Sequence, residues 1–330
     1  MKTKVSLFEE AKSKLLENTG ITLVFSDSKR KSNSIAKIKS ERFIVDVKQE
    51  ITHGSKGIVL QQLKEASREE NLPVLLITKY IPTIIAKSFV EEGINYIDAA
   101  GNCNIHQGDI LLIIEGKKIE RLPRTNQPRA FQEAGIKLIF CLLDNPENMN
   151  KSFRELSKLS QIALGSVSVI FQELIELKFV LKTKNKKVLE NKLVLLQRWV
   201  IAYYDVLRPK LLVKKMNFTN KTDWNNLNFS FISGTTLWGG ECAANILTQN
   251  LTPANYTIYT EDTWQAVGKS LKLVPEDKGK VEILRLFYND SIAEKTVSPL
   301  LVYADLMGSG DSRNMETAEI ILNNELQYLK

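Results

Sequence analysis

Two short stretches of this 330-residue chain hold residue types at spacings that chemistry uses. In RFIVDVKQE, Asp46 and Lys48 stand two apart in a segment rich in β-branched residues. On a strand, that spacing turns both side chains to one face. A carboxylate and an ammonium so placed suit metal-dependent phosphodiester hydrolysis, the carboxylate holding a divalent ion and the lysine orienting water or stabilising charge. In FISGTTLWGGECAAN, Ser233, Gly234, Gly239 and Gly240 form a glycine-rich turn ahead of a helix, where free amides could cradle a phosphate. Trp238, beside the glycine pair, is a candidate partner contact. Both constellations are incomplete. The first lacks an acid on the preceding segment IAKIK, with Asp27 and Asp98 both falling in loops. The second has neither a Gly-Lys-Ser/Thr nor a G-x-G-x-x-G pattern. The strand after it, NYTIYT, reaches no carboxylate before Glu261-Asp262, whereas two-metal chemistry needs two acids on one face. No catalytic residue, metal or cofactor is therefore expected, and Asp46 with Lys48 would be the pair only if the chain were a nuclease.

Composition narrows the classes further. His53 and His106 are the two histidines, and Cys103, Cys141 and Cys242 lie far apart. That scarcity argues against a Ser-His-Asp triad and a His/Cys zinc site, and the odd cysteine count suits a reducing compartment. With 43% hydrophobic and 25% charged residues, the chain reads as globular. No apolar run approaches the roughly 18 residues of a membrane span, and MKTKVSLFEEAKSKLLE has no signal-peptide core. A cytoplasmic protein without membrane association is expected.

The net charge of +7 is unevenly spread. Residues 1–50 hold 11 basic and 7 acidic residues, and residues 151–200 hold 10 and 4, while the remaining segments are near neutral or slightly acidic. The second basic stretch has a recognisable order. FQEAGIKLIFCLLD (131–144) is an amphipathic helix, and FRELSKLS (153–160) a short one with Ser152 as N-cap candidate. After the turn QIAL comes a helix from Gly165 to Leu177, with Val167, Ile170, Phe171, Leu174 and Leu177 on one face. FVLKTKNKKVLEN then reads as two strands around a lysine-rich tip. Helix, helix–turn–helix and basic hairpin is the order of a winged helix–turn–helix, whose second helix presents its first turn to the major groove. Gly165, Ser166, Ser168, Val169 and Gln172 are the expected groove residues. Arg154 and Lys158 on the preceding helix, with Lys182, Lys184, Lys186 and Lys187 in the wing, would neutralise backbone phosphates. The alternative is a helical spacer with a solvated cationic face.

The elements around this module read as α/β. A helix over 5–18 precedes strands at ITLVF, IAKIK and RFIVDVK, a helix over 57–70, the strand PVLLITKYI, a helix opened by Pro82, a short strand and turn in NYIDAAGN, and a strand in DILLIIEG. This order resembles the restriction-endonuclease-like core, whose PD-(D/E)xK signature Asp46 and Lys48 half complete. RLPRTNQPRAF (121–131) is a linker candidate. Past the wing, KLVLLQRWVIAYYDVL is a helix closed by Arg208-Pro209, TLWGGECAANILTQ a helix, NYTIYT, VEILRLFY and SPLLVYADL strands, and a helix follows from Arg313. The glycine-rich turn and following strand resemble a degenerate nucleotidyltransferase. Three domains result: residues 1–122, restriction-endonuclease-like and inactive; 123–212, winged helix–turn–helix; and 213–330, an α/β partner domain.

Taken together, VDVKQEI, PVLLITKYI, GINYIDAAGN, FRELSKLSQIALGSVSVIFQELIELKFV, SGTTLWGGECAANILT and YADLMGSGDSRNMETAE resemble the AbiEi-type antitoxin family of type IV toxin–antitoxin systems, in a longer form with a central winged helix. The resemblance implies a regulator that binds double-stranded DNA at its own operator and represses its operon. It also implies an antitoxin that counteracts a nucleotidyltransferase-like toxin, without necessarily touching it.

Overall fold

The structure, a computed structural model, describes residues 2–26, 34–118, 127–182, 186–219, 224–227, 229, 232, 234–288 and 295–330. The chain divides into two compact units, Met1–Thr125 and Asn126–Lys330.

The first unit runs α1 (Lys2–Thr19), β1 (Leu23–Ser26), β2 (Ser34–Ile38), β3 (Glu41–Lys48), α2 (Lys56–Glu70), β4 (Val74–Thr78), α3 (Thr83–Glu91), β5 (Asn95–Asp98), β6 (Cys103–Gln107) and β7 (Ile110–Ile114). Its seven strands follow chain order in one sheet. The central β3, β4 and β5 are parallel, and antiparallel pairs flank them. Every residue of β4 is buried, as a strand covered on both faces requires. Alternation sorts those faces. Phe43, Val45, Leu75 and Ile77 join Leu7, Phe8, Ala11 and Leu15 of α1 in one core cluster. The intervening Ile44, Asp46 and Lys48 therefore point to the face that carries α2. Strand β6 was not anticipated, because CNIHQ mixes polar with apolar residues. Pro82 is the N-cap of α3 rather than its first residue.

The second unit opens with a 3-10 turn at Arg129–Phe131, whose Ala130 and Phe131 are buried, so the linker expected over 121–131 ends inside the fold. Then come α4 (Glu133–Asp144), α5 (Phe153–Leu159), α6 (Leu164–Glu176), β8 (Val180–Lys182), β9 (Lys187–Leu189) and α7 (Lys192–Ala202). Instead of ending at Arg208-Pro209, the helical path continues through a π turn, Tyr203–Leu207, into α8 (Arg208–Leu211), where Pro209 occupies a first-turn position that needs no N–H. Trp199 is fully buried, and its indole N–H donates to the Ile136 carbonyl at 2.9 Å, fixing α7 to α4.

Next are β10 (Leu212–Phe218), β11 (Thr236–Gly239), α9 (Gly240–Thr248), β12 (Tyr256–Thr260), α10 (Trp264–Leu271), β13 (Leu273–Pro275), β14 (Val281–Arg285), α11 (Pro299–Ser309) and α12 (Ser312–Asn324). The five strands lie in the order β11-β12-β14-β10-β13, with only β12 and β14 parallel among these pairs. Two expectations fail here. TLWG is strand, and the helix begins only at Gly240, where φ of +49° breaks the extended path. SPLLVYADL is helix, not strand. Ser298 caps it, Pro299 opens it, and Leu300 to Gly308 are all buried, so no polar face marks the helical period. Part of the segment expected as the strand NFSFISG lies outside the described residues. Among the described residues, no helix is long and apolar enough to cross a membrane.

Candidate functional site

The basic helix pair is built as its sequence requires. Ser152 and Glu155 form a reciprocal capping box: the Glu155 amide donates to Ser152 Oγ at 3.3 Å, and the Ser152 amide to Glu155 Oε2 at 2.8 Å. The Ser152 hydroxyl also donates to Glu155 Oε2, at 2.7 Å, and together with the Ser152 amide it holds the Glu155 carboxyl below the usual carboxylate range. Helix α5 ends at Ser160, and the turn passes through Gln161 at φ +52°. Helix α6 has no side-chain cap, which leaves its first-turn amides without a side-chain acceptor. Val167, Ile170, Phe171 and Leu174 are its buried face. Gly165, Ser168, Val169 and Gln172 form the exposed face, and Ser166 is half-buried. Leu177 is only partly buried. Gln172 Nε2 donates to Glu176 Oε1 at 3.1 Å.

The cations are distributed around that face. Arg154 and Lys158 are exposed one turn apart on α5, and Lys182 and Lys186 are exposed on the β8–β9 hairpin. Lys187 is different. Its ammonium lies 4.4 Å from the Phe153 ring centroid and 4.9 Å from that of Phe171, so it docks the hairpin onto α5 and α6. Burial, with the nearby Lys182 charge, pushes its pKa down. Lys184 lies outside the described residues. Arg129, which sequence reasoning assigned to a linker, is exposed and lines a cleft of about 350 Å³ together with Gly165, Ser166 and Val169. Glu173 Oε2 holds that turn by accepting from the Ala130 amide at 2.8 Å. The cluster of arginines in RLPRTNQPRAF was the available signal.

Asp46 and Lys48 do share a face. Lys48 Nζ sits 3.0 Å from Asp46 Oδ2 and 2.8 Å from Gln62 Oε1 on α2. The pair thus satisfies itself, and among the described residues no three Asp, Glu, His or Cys side chains gather as a metal site.

The glycine pair proves to be the rim of a buried polar centre. Asp305 of α11, 5% exposed, accepts from the Gly240 amide at 3.2 Å through Oδ2, from Arg208 Nε at 2.9 Å through Oδ1, and from the hydroxyls of Tyr203 and Tyr259. Arg208 Nη2 also reaches Glu282 Oε2 at 2.7 Å, and Lys215 Nζ lies 2.9 Å from Glu282 Oε1. The carboxylate therefore occupies the start of α9, where a bound anion would otherwise sit. Packing demands the glycines: a Cβ on Gly239 would fall 2.4 Å from the Tyr259 ring, and one on Gly240 2.7 Å from Thr257 Oγ1. Thr257 and Tyr259 therefore stand on the β12 face next to the turn. Trp238 is 3% exposed, packed against Phe229 and Trp224, and so belongs to the core. Gly234 is half-buried, and Ser233 lies outside the described residues. Sequence reasoning missed Asp305 by reading its helix as a strand, and missed Arg208 by treating it as a terminator.

Burial, reinforced by the Asp305 charge, pushes the Tyr203 and Tyr259 hydroxyls far up, so both remain donors. Burial alone would raise the Glu282 carboxyl, but Arg208 and Lys215 bring it below the usual range. Two outcomes follow. Asp305→Asn leaves buried Arg208 with only Glu282, which Lys215 shares, as its carboxylate partner, and lowers stability by about 3–5 kcal/mol, read by denaturant unfolding. Because the folded-state pKa of Glu282 is depressed, its stabilisation is present above the usual carboxylate range and lost as pH falls through the folded value. Glu282→Gln is therefore expected to flatten the acid limb of the melting-temperature profile, and an unchanged limb would contradict this assignment.

Comparison with known proteins finds a likeness over part of the chain. No curated protein and no solved structure matches the chain. A family model does, over residues 187–329, from the second hairpin strand to the last turn. The family is described as transcriptional regulator, AbiEi antitoxin, type IV TA system. Over that stretch, which holds the Asp305 centre, the chain is similar to AbiEi-type antitoxin regulators.

Proposed function

We propose that the chain is a DNA-binding transcriptional regulator and type IV antitoxin. In this reading α4, α5, α6 and the β8–β9 hairpin form a winged helix–turn–helix that binds double-stranded DNA at the chain's own operator and represses its operon. One observation carries the reading. The exposed face of α6 is small and largely uncharged, its N-terminus is uncapped, and Arg154, Lys158, Lys182 and Lys186 stand exposed on the elements to either side. A helix entering the major groove needs that arrangement: close approach in the middle, phosphate neutralisation at the edges. Gly165 supports it, since a Cβ there would meet no atom within 4 Å, so the surface beside it is open. Arg129 joins the phosphate contacts from the α4 side, and Lys187 orients the wing.

Residues 1–122 serve as a restriction-endonuclease-like scaffold, with Lys48 neutralising Asp46 rather than activating water. Residues 123–212 read DNA, and residues 213–330 form a non-enzymatic antitoxin domain that counteracts a nucleotidyltransferase-like toxin. The family described over 187–329 supports both the regulatory and the antitoxin parts. An intracellular site of action follows from a DNA target.

Mobility shift on the chain's own upstream DNA tests this. Affinity is expected to fall steeply with salt, and Arg154→Ala or Lys158→Ala to reduce the logarithmic salt slope by about one each. Gln172→Ala should alter sequence preference with little change in slope. Absence of a shift at low salt sinks the reading.

A further inference from the structure

The cleft beside the buried centre has the features of a ligand site. It measures about 220 Å³ and is lined by residues of α8, β10, α9, β12, β14, α11 and α12. Drug-sized ligands take roughly 300–1,000 Å³, so the occupant is small. Most polar groups around it are already matched. Asp305 and Glu282 hold Arg208 and Lys215, and Glu241 Oε2 accepts from the Ala254 amide at 2.6 Å.

Among the described residues two lining groups stand out, one a cation and the other a buried acceptor. Lys280, at the edge of β14, is exposed and has no ion pair among the described residues. Asn314 of α12 is 3% exposed, and its Oδ1 is buried without a hydrogen-bond partner. A buried acceptor without a donor costs about 1–3 kcal/mol, and a ligand N–H would relieve that cost. Asp311, the N-cap of α12, also lines the cleft, adding negative charge on the side of Asn314. The cations come from the sheet, as Lys215 and Lys280, and the acceptors from the helix ends, as Glu241, Asp311 and Asn314. The lining is close to neutral overall, with Arg208, Lys215 and Lys280 set against Glu241, Glu282, Asp305 and Asp311. A dianion would meet more carboxylates than cations. A molecule with one anionic group and one ammonium would satisfy both sides.

We propose that this cleft binds a small zwitterion of the α-amino-acid class, its carboxylate at Lys280 and Lys215 and its ammonium at Asn314 Oδ1 and Asp311. The orphan acceptor separates this from a generic basic surface, because an anion alone supplies it with no donor.

The test is calorimetric titration of the full chain with glycine and each of the other standard amino acids, beside their N-acetyl and amide derivatives. Inorganic phosphate and adenosine monophosphate serve as anion controls. One or more amino acids should bind with 1:1 stoichiometry and raise the melting temperature. Blocking either end should weaken that binding at least about tenfold, as should Lys280→Glu at an exposed position. Asp311→Asn, which keeps the helix cap, should weaken it as well. A silent panel overturns the proposal. So does binding that survives N-acetylation or Lys280→Glu, and so does occupation by phosphate or the nucleotide alone.

Discussion

The second unit is organised around one buried charge. Asp305 sits in a place where an ionised carboxylate is costly unless every lone pair is engaged. Here each is. A guanidinium, two hydroxyls and a backbone amide converge on it, and Glu282 and Lys215 extend the pairing outward. Removing either partner would leave the other charged and buried, which explains why a network of this kind constrains its surroundings so strongly. Gly239 and Gly240 are needed because the Tyr259 ring and Thr257 close over the strand–helix junction, and Gly308 because Tyr204 lies against α11. The π turn has a reason too: it carries Tyr203 and leads into α8, whose first residue is Arg208, and both side chains reach the carboxylate. An internal anion, the Asp305 carboxylate, also gives the glycine-rich start of α9 the acceptor that its first amide needs.

That centre touches the basic module through one continuous helical path. Helix α7 runs from the end of the hairpin into the π turn and α8, and Trp199 along it is hydrogen-bonded to α4. Phe140 of α4 packs against Phe287 and Tyr288, and Ser298 hydrogen-bonds Asp144. The helix pair and the five-stranded part therefore share a core. The hairpin, in turn, is held by Lys187 over two aromatic rings, which uses one of the wing's cations for position and leaves its neighbours facing solvent.

Legibility in the sequence followed the strength of local signals. The α5–α6–hairpin order was readable because the apolar period, the Ser152 cap and the lysine-rich tip all agreed. The parallel core of the first unit was readable from VDVK and VLLIT, whose β-branched runs admit few alternatives. Helix α11 was not, since a helix buried all round loses its amphipathic period and looks like a strand. The polar centre was hidden for a related reason. Its members come from the π turn, α8, β12, β14 and α11, and no local pattern links Arg208 to a carboxylate 97 positions away. Trp238 looked like a contact residue because tryptophan beside glycines leaves open what covers it, and the structure covers it with Phe229 and Trp224. Asp46 and Lys48 were correctly placed on one face, but the ion pair between them is a matter of side-chain geometry that spacing does not encode.

The central claim is that α6, flanked by the cations of α5 and the hairpin, is the surface that meets DNA. Amide hydrogen exchange on the full chain, with and without a duplex from its own upstream region, addresses this residue by residue. The account predicts slowed exchange in the first turn of α6, in α5 and along the hairpin over residues 152–190, with the α2 face around Asp46 and Lys48 unchanged. Protection on that α2 face, with residues 152–190 unaffected, would contradict it.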